Sequence, residues 1–149
     1  MDEKQKKELF DRVKEQEKTA HIHVPQQEAT GNLPDFEVSY ELDPDPELEE
    51  VIPCQGMRTD FLYDGDDPKV DGIHMIWPEF LDSDGDVITN KNEEISKKGK
   101  ALMWILIPES RDKVHRHRIK EGEKGYWVFG SKKLARVTVT KILGLYKNK

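Results

Sequence analysis

The chain has 149 residues, which suggests one domain or one domain with an extended arm. Charged residues make up 36% of it and hydrophobic residues 35%, so the hydrophobic core must be small. The sequence contains no run of about 18 apolar residues, and its single cysteine, Cys54, excludes an intrachain disulfide. Its first residues, MDEKQKKELF, lack the apolar run of a secretory signal. We therefore expect a cytoplasmic protein without a membrane span.

Charge is distributed unevenly along the chain. The net charge is -6, but residues 35–99 hold five basic and nineteen acidic residues, and residues 100–149 hold thirteen basic and four acidic ones. Two interpretations follow. The two parts neutralise each other within one fold, which we favour, or they form separate basic and acidic faces that bind partners.

The first predicted element is a helix over residues 2–18, which contain no glycine or proline. Its only apolar side chains are Leu9, Phe10 and Val13, so the helix has little to bury and is marginal by itself. A segment rich in turn-forming residues follows. We predict that residues 1–34 form a helical arm and a linker.

From residue 35 onward, short apolar segments alternate with turn signals. Phe36–Leu42 alternates apolar and polar residues with the period of two that is typical of a half-buried strand. The further predicted strands are Met57–Tyr63, Ile73–Trp77, Ala101–Ile107, His115–Lys120, Gly125–Phe129 and Leu134–Leu145. Pro78 and Pro108 are expected to end two of them. This pattern predicts a mainly β fold over residues 35–149, an antiparallel sandwich or barrel.

Several segments follow one another as they do in a known family. They include an opening strand before an acidic loop, a strand with glycine, arginine and aromatics, a basic turn before an apolar strand, and a glycine turn before a closing Leu-Gly. These segments are Phe36–Tyr40, Gly56–Tyr63, Lys98–Pro108, Gly130–Lys133 and Val137–Gly144. In this pattern, residues 35–145 resemble the C-terminal β-barrel domain of translation elongation factor Tu. The resemblance implies a small antiparallel β-barrel that contacts other macromolecules, as the family barrel contacts tRNA and its own GTPase domain.

The chain also departs from this family. It contains no GxxxxGK[ST] loop, so neither a GTPase domain nor a bound nucleotide is expected. Leu134–Val137 stands where the family has further glycines after its glycine turn, and extra residues lie between Pro108 and Gly130. The family's own contacts are therefore not assigned to particular residues here.

A basic stretch in the second half of the chain is one candidate binding surface. Alternate residues of a strand over 115–120 would share one face, and two lysines follow in a later turn. The predicted basic face consists of Arg116, Arg118, Lys120, Lys132 and Lys133. Clustered positive charge attracts phosphates, which predicts an RNA partner. The alternative is that these side chains only solvate the outside of the barrel.

An acidic turn offers a second candidate surface. Asp64, Asp66 and Asp67 lie within five residues, in the part of the chain with the strongest negative charge. Such a loop can attract a basic protein, as an immunity or inhibitor protein attracts a toxin. This predicts a protein partner as the alternative to RNA.

Another acidic turn resembles the start of an EF-hand calcium loop. Asp82, Asp84 and Asp86 occupy alternate positions, and Glu93 falls at the twelfth position, where a bidentate ligand belongs. The sixth position is Val87 instead of the glycine that the sharp turn requires. The alternatives are therefore a calcium site, which would imply a metal-binding protein or a metal-dependent enzyme, and a polar hairpin turn, which we favour.

Histidine and tryptophan residues complete the set of candidates. His21 and His23, and likewise His115 and His117, are two residues apart, so each pair could hold a metal from one side of a strand. We favour surface histidines, because neither pair has a complete ligand set. Three tryptophans are expected to anchor the core: Trp77, Trp104 and Trp127.

The sequence contains no Ser/His/Asp or Cys/His set at a spacing typical of nucleophilic catalysis. We therefore expect a non-enzymatic binding module without a cofactor, whose partner is a protein or an RNA. An accessory domain that docks on a larger GTPase is a further alternative. The oligomeric state is left open.

Overall fold

A computed structural model describes residues 3–7, 22–48 and 50–149 of the chain. Residues 3–7 are helical, and the remainder of the helix predicted over 2–18 lies outside the described residues. Within the described ranges, no helix has the length and apolar character needed to cross a membrane.

Six strands form one antiparallel sheet. They are β1 (Phe36–Leu42), β2 (Asp60–Tyr63), β3 (Ile76–Phe80), β4 (Lys98–Ile105), β5 (Lys124–Phe129) and β6 (Lys132–Ile142). Their order across the sheet is β2-β5-β6-β1-β4-β3, and each neighbouring pair is antiparallel. The prediction of a mainly β, antiparallel fold is therefore confirmed.

The sheet curls into a barrel-like shape. Its edge strands are β2 and β3, and they approach each other at one point. There, Phe61 of β2 and His74, which lies just before β3, exchange backbone N–H···O bonds of 2.8 and 2.9 Å. The inner side of the curl holds the hydrophobic core, whose largest side chains are Phe36, Phe61, Tyr63, Phe80, Met103 and Trp127.

The three tryptophans occupy different environments. Trp127 is fully buried in the core, as predicted. Trp104 is buried without belonging to the core cluster, and its indole N–H donates to Glu79 at 3.2 Å. Trp77 is half-buried beneath the guanidinium of Arg58. The prediction that all three anchor the core is confirmed for Trp127 and, as a buried side chain outside the main cluster, in part for Trp104, whereas Trp77 is only half-buried.

The predicted end of a strand at Pro78 is wrong. Pro78 lies within β3 and pairs with Met103 of β4. A proline is tolerated there because β3 is an edge strand, so its missing N–H leaves no ladder hydrogen bond unmade on the outer side.

The predicted strand His115–Lys120 is also wrong. The chain from 108 to 118 is helical, with an α-turn Pro108–Ser110, a π-turn Arg111–His115 and a second α-turn Arg116–Arg118. The proline in its first turn, followed by Glu109, is a helix-start signal. The helix escaped prediction because its buried residues, Arg111 and His115, are polar and give no apolar periodicity. We call this segment the 108–118 helix.

A buried ion pair joins the 108–118 helix to the sheet. The fully buried carboxylate of Asp35, just before β1, accepts a hydrogen bond of 2.7 Å from Nε of Arg111. It also accepts one from the backbone N–H of Ile105, at the end of β4. Arg111 donates further to the carbonyls of Ile105 and Lys149, so one side chain connects β4, the helix and the C-terminus.

Residues 22–30 lie against β3. The N–H of His23 donates to the carbonyl of Thr89 at 2.7 Å, and its imidazole is hydrogen-bonded to Glu79 of β3. A short helix follows at Gln26–Thr30, and the N–H of Gln26 donates to Glu79 at 2.8 Å. Glu79 is only 2% exposed, whereas His23 and Gln26, which contact it, are half-buried.

Candidate interaction surface

Ion pairs connect the acidic and basic parts of the chain. Among the described residues, five pairs join residues 35–99 to residues 100–149: Arg111–Asp35, Arg118–Asp66, Lys132–Glu47, Arg136–Glu41 and Arg136–Asp43. The first is fully buried, and the others are partly or largely exposed. These contacts favour the interpretation that the two parts neutralise each other.

Arg116 of the predicted basic face supports the C-terminus. Its guanidinium donates to the carbonyls of Leu145 and Asn148 and to Asp112, which lies one turn earlier in the 108–118 helix. Tyr146 returns a hydrogen bond from its hydroxyl to the carbonyl of Arg116. This arrangement leaves the arginine few donors for a phosphate.

Arg118 joins the 108–118 helix to the acidic turn after β2. It donates to both carboxylate oxygens of Asp66, at 2.7 and 3.0 Å, and its guanidinium lies 3.8 Å from the centre of the Tyr63 ring. The hydrogen bonds from Arg118 hold the pKa of Asp66 below its usual value. One predicted basic residue and one predicted acidic residue are thus each other's partners.

The three predicted lysines lie in different surroundings. Lys120 is exposed. Lys132 lies 3.3 Å from the carboxylate of Glu47, and the ammonium of Lys133 lies 4.0 Å from the ring centre of Tyr126. Because residues 116–118 are helical, the shared face expected of a strand does not form.

The acidic turn is ordered by hydrogen bonds from its neighbours. The Tyr126 hydroxyl donates to Asp64 at 3.1 Å. Asp67 accepts the N–H of Lys69 at 2.9 Å, and the N–H of Asp67 donates to Asp71 at 2.8 Å. These carboxylates are exposed, unlike that of Asp66, so they remain available to a partner.

An apolar groove lies between this turn and the sheet. Leu62 of β2, Val128 of β5, and Pro68 and Ile73 of the loop after β2 line it, and its volume is about 360 Å³. Its polar rim consists of Asp67, Lys69, Ser131 and Lys133. Val70, in the same loop but outside the groove lining, is 80% exposed, the highest value among the large apolar side chains of the described residues. We call this feature the apolar groove.

The predicted calcium ligands lie in a hairpin turn and the loop after it. Asp82 accepts hydrogen bonds from the backbone N–H groups of Asp84 and Asp86, at 2.9 and 3.0 Å. Gly85 takes the positive φ of 87° that this turn needs. Across residues 3–7, 22–48 and 50–149, no three acidic, histidine or cysteine side chains lie close enough together to hold a metal ion, and Asp82, Asp84, Asp86 and Glu93 are therefore not brought together.

The histidine pairs do not act as pairs. His115 is fully buried and hydrogen-bonded through Nδ1 to the Tyr63 hydroxyl at 2.6 Å, whereas His117 is exposed. Burial lowers the pKa of His115 to about 3, and burial also lowers the pKa of His74, whose ring lies edge-on to it. Since Tyr63 is also fully buried, this cluster holds the helix on the core and is not accessible to a ligand. His21 lies outside the described residues, and His23 contacts Glu79.

Two features of the surface, the apolar groove and the buried Glu79, were not predicted from the sequence. The apolar groove forms only when the loop after β2 folds over β5, and nothing in the local pattern indicates that contact. Glu79 carried a signal, since it is a charged residue inside the apolar strand IWPEF, and such residues are buried only when they have partners.

Neither a scan against models of protein families nor a search of curated proteins found a match to this chain. Its function is therefore inferred from the surface residues themselves.

Proposed function

We propose that the chain is a non-enzymatic module that binds a protein partner at the apolar groove. The observation that carries the proposal is the groove itself, with its exposed neighbour Val70. Of the ten large apolar side chains that are exposed among the described residues, Val70 is the most exposed, and Ile73 lines the groove. An apolar depression with a polar rim is the usual form of a protein-binding patch.

Charge in the loop after β2 favours one class of partner. This loop carries Asp64, Asp67 and Asp71 with exposed carboxylates and one lysine, Lys69, although the rim of the groove itself holds only Asp67 together with Lys69 and Lys133. Asp66 does not contribute, because Arg118 neutralises it. A protein segment that inserts an apolar side chain and carries basic residues beside it is complementary to this surface. This includes the alternative of an inhibitor that binds a basic toxin.

The contacts of the arginines favour a protein over RNA. Arg116 and Arg118 both have intramolecular partners, so the basic stretch offers fewer cations to phosphates than its sequence suggests. Each cation that contacts a phosphate adds to the affinity for nucleic acid. Two of the five residues of the predicted basic face are thus already engaged, which weakens the interpretation that this face binds RNA.

The resemblance to the elongation factor Tu barrel belongs to this proposal. In that family the barrel contacts other macromolecules through its outer surface. The antiparallel, curled sheet of this chain is compatible with such a barrel, and the Gly130–Ser131 turn joins β5 to β6 where the family pattern has its glycine turn. We propose that this chain uses its barrel as a stand-alone binding surface.

Affinity capture with a groove variant tests the proposal. The chain and its V70Q/I73Q variant are used as baits in a lysate of the source organism, with ribonuclease present, and captured proteins are quantified by mass spectrometry. We expect a stoichiometric partner that the variant retains at least about tenfold less, because each buried apolar side chain contributes about 1.5–3 kcal/mol.

The matched control is I52Q, because Ile52 is also exposed, at 67%, but belongs neither to the groove, which Ile73 lines, nor to the loop after β2, which carries Val70. The proposal fails if V70Q/I73Q and I52Q retain the same proteins, or if a partner is captured only when ribonuclease is omitted. A dimer that V70Q/I73Q abolishes in sedimentation would instead identify a second copy of the chain as the occupant. Replacing Asp67 and Asp71 with asparagine should slow association with the partner and flatten its salt dependence.

A further inference from the structure

A small pocket lies where residues 22–30, the turn at 54–58 and β3 meet. Its volume is about 170 Å³, and it shares no lining residue with the apolar groove. Two cations, Arg58 and Lys91, line it together with the aromatic ring of Trp77 and the side chains of Met57 and Glu79. We call it the junction pocket.

Neither cation has an acidic partner among the residues that the structure describes, which is unexpected in this part of the chain. Residues 35–99 contain only five basic residues against nineteen acidic ones. Among the described residues, neither Arg58 nor Lys91 forms an ion pair with a carboxylate. Two positive charges therefore line one cavity, and Glu79, which also lines it, forms an ion pair with neither of them.

Each cation lies close to another residue of the pocket, with Lys91 half-buried and Arg58 exposed. The guanidinium carbon of Arg58 lies 4.6 Å from the centre of the Trp77 ring. The side chain of Lys91 lies over Gly56, and its Nζ is 3.9 Å from the position that a Cβ on Gly56 would take. Gly56 has a φ of 91°, a conformation that favours glycine, so the turn brings the backbone close to Lys91.

A buried amide fixes the turn that carries Arg58. Gln55 is 2% exposed, and its side-chain NH₂ donates to the carbonyls of Phe80 and Ile88, at 3.1 and 2.7 Å. Its side-chain oxygen accepts the N–H of Phe80 at 2.8 Å. Three hydrogen bonds from one buried side chain fix this wall of the pocket relative to β3 before any ligand binds.

Glu79 fixes the opposite wall and does not compete for the cations. Its carboxylate accepts hydrogen bonds from the imidazole of His23, the N–H of Gln26 and the indole N–H of Trp104. Its oxygens therefore already have donors. The side chains of Arg58, Lys91 and Glu79 together carry one positive unit of formal charge.

We infer that the junction pocket binds a carboxylate attached to a small apolar body. A carboxylate carries the single negative charge that the pocket lacks, and its two oxygens match the planar donor pair of a guanidinium. Trp77 and Met57 supply an apolar wall for the attached carbon atoms. A phosphate dianion would place a second negative charge beside the buried Glu79, which is costly. This inference does not depend on the proposed partner at the groove.

NMR titration with sodium isobutyrate tests the inference, with sodium chloride at equal ionic strength as reference. The indole N–H signals of the three tryptophans are the probes. We expect the signal of Trp77 to shift in a saturable way with a Kd of about 1–10 mM, and the signal of the fully buried Trp127 to stay constant. Sodium phosphate should bind more weakly.

The variants R58Q and K91Q should each weaken isobutyrate binding about tenfold, because each removes a charge-assisted hydrogen bond. The matched control is K97Q, since Lys97 is an exposed lysine of the same acidic part that does not line the pocket. It should leave the Kd unchanged. The inference is overturned if Trp77 does not respond to isobutyrate up to about 50 mM, if phosphate binds more tightly, or if all three variants behave alike.

Two peptides then distinguish the source of the carboxylate. Acetyl-Ala-Val with a free C-terminus is compared with the same peptide as its amide. Tighter binding of the free acid than of isobutyrate assigns the pocket to a protein C-terminus, and equal or weaker binding assigns it to a small acid. Both results support a carboxylate as the ligand. If the amide binds as tightly as the free acid, the inference is overturned.

Discussion

Replacing Arg111 with methionine is expected to destabilise the protein by about 3–5 kcal/mol. The guanidinium of Arg111 is 7% exposed and lies 2.7 Å from the fully buried carboxylate of Asp35. Without it, that carboxylate stays in the interior with only neutral donors, namely the N–H of Ile105 and the amide of Asn148. The carbonyls of Ile105 and Lys149 also lose the hydrogen bonds that Arg111 donates.

The magnitude follows from burial, not from the number of contacts. Breaking a buried ion pair at one partner leaves an uncompensated charge, and this costs more than the pair contributes while intact. Since domains have about 5–15 kcal/mol of stability in total, the variant should lose a large part of it. We expect its Tm to fall by about 10 °C or more.

Urea unfolding measures the loss as the free energy of unfolding in water, with an unchanged m value as the check on two-state behaviour. The matched control is K113M in the same helix. Lys113 lies 2.6 Å from Glu109, but both side chains are about 70% exposed, so the control should lose less than about 1 kcal/mol. The double variant D35N/R111M removes both charges. Its loss of unfolding free energy should be smaller than the sum of the losses in D35N and R111M.

Equal losses of unfolding free energy in R111M and K113M would refute the reasoning, because the Arg111–Asp35 pair is buried and the Lys113–Glu109 pair is exposed. A loss below about 1 kcal/mol in R111M would also refute it. Additivity in the double variant would show that Asp35 and Arg111 do not stabilise each other.

Three further changes test other contacts. Since burial lowers the pKa of His115 to about 3 from an ordinary 6.5, the unfolded chain binds a proton that the folded chain does not, and the free energy of unfolding should fall as the pH drops from 6.5 towards 3. Urea midpoints across that range should change less in H115Q, and an unchanged slope would contradict the assignment. In G125A, the new Cβ would lie 2.5 Å from Cζ of Phe61 and 2.7 Å from the carbonyl oxygen of Leu62, so a loss of about 1–3 kcal/mol is expected by urea unfolding. Q55M keeps the length of the side chain but leaves two buried backbone groups, the N–H of Phe80 and the carbonyl of Ile88, without the partner that Gln55 supplies, and thermal unfolding should show a loss of at least about 2 kcal/mol. A near-neutral result for G125A would mean that the backbone relaxes without strain. A near-neutral result for Q55M would mean that water forms the hydrogen bonds that Gln55 makes.

Strands with a clear period of two were predictable. Phe36–Leu42 was predicted with the bounds that the structure has, because its apolar residues alternate and Asp43-Pro44 ends it. The bounds of β3 were not predictable in the same way. Pro78 indicates the end of a strand only if the strand is central, and the sequence does not say which strands lie at the edge of a sheet.

The candidate surfaces were predicted less well than the strands. Arg116, Arg118, Asp64, Asp66 and Asp67 were selected because like charges are close in the sequence. Arg118 and Asp66 instead face each other across 52 residues of chain. The binding of RNA, protein or metal by these residues stays a prediction.

The sequence by itself determined that the protein is mainly β with short antiparallel strands, since alternation and turn residues are local properties that each segment carries alone. The tertiary structure decided which charges remain free. Within residues 3–7, 22–48 and 50–149, Arg118 is paired with a carboxylate and Arg58 is not, although both are arginines in polar segments. The physical reason is that an ion pair depends on which distant segments the sheet brings together, and neither the apolar groove nor the junction pocket exists until loops far apart in the chain pack against the same strands.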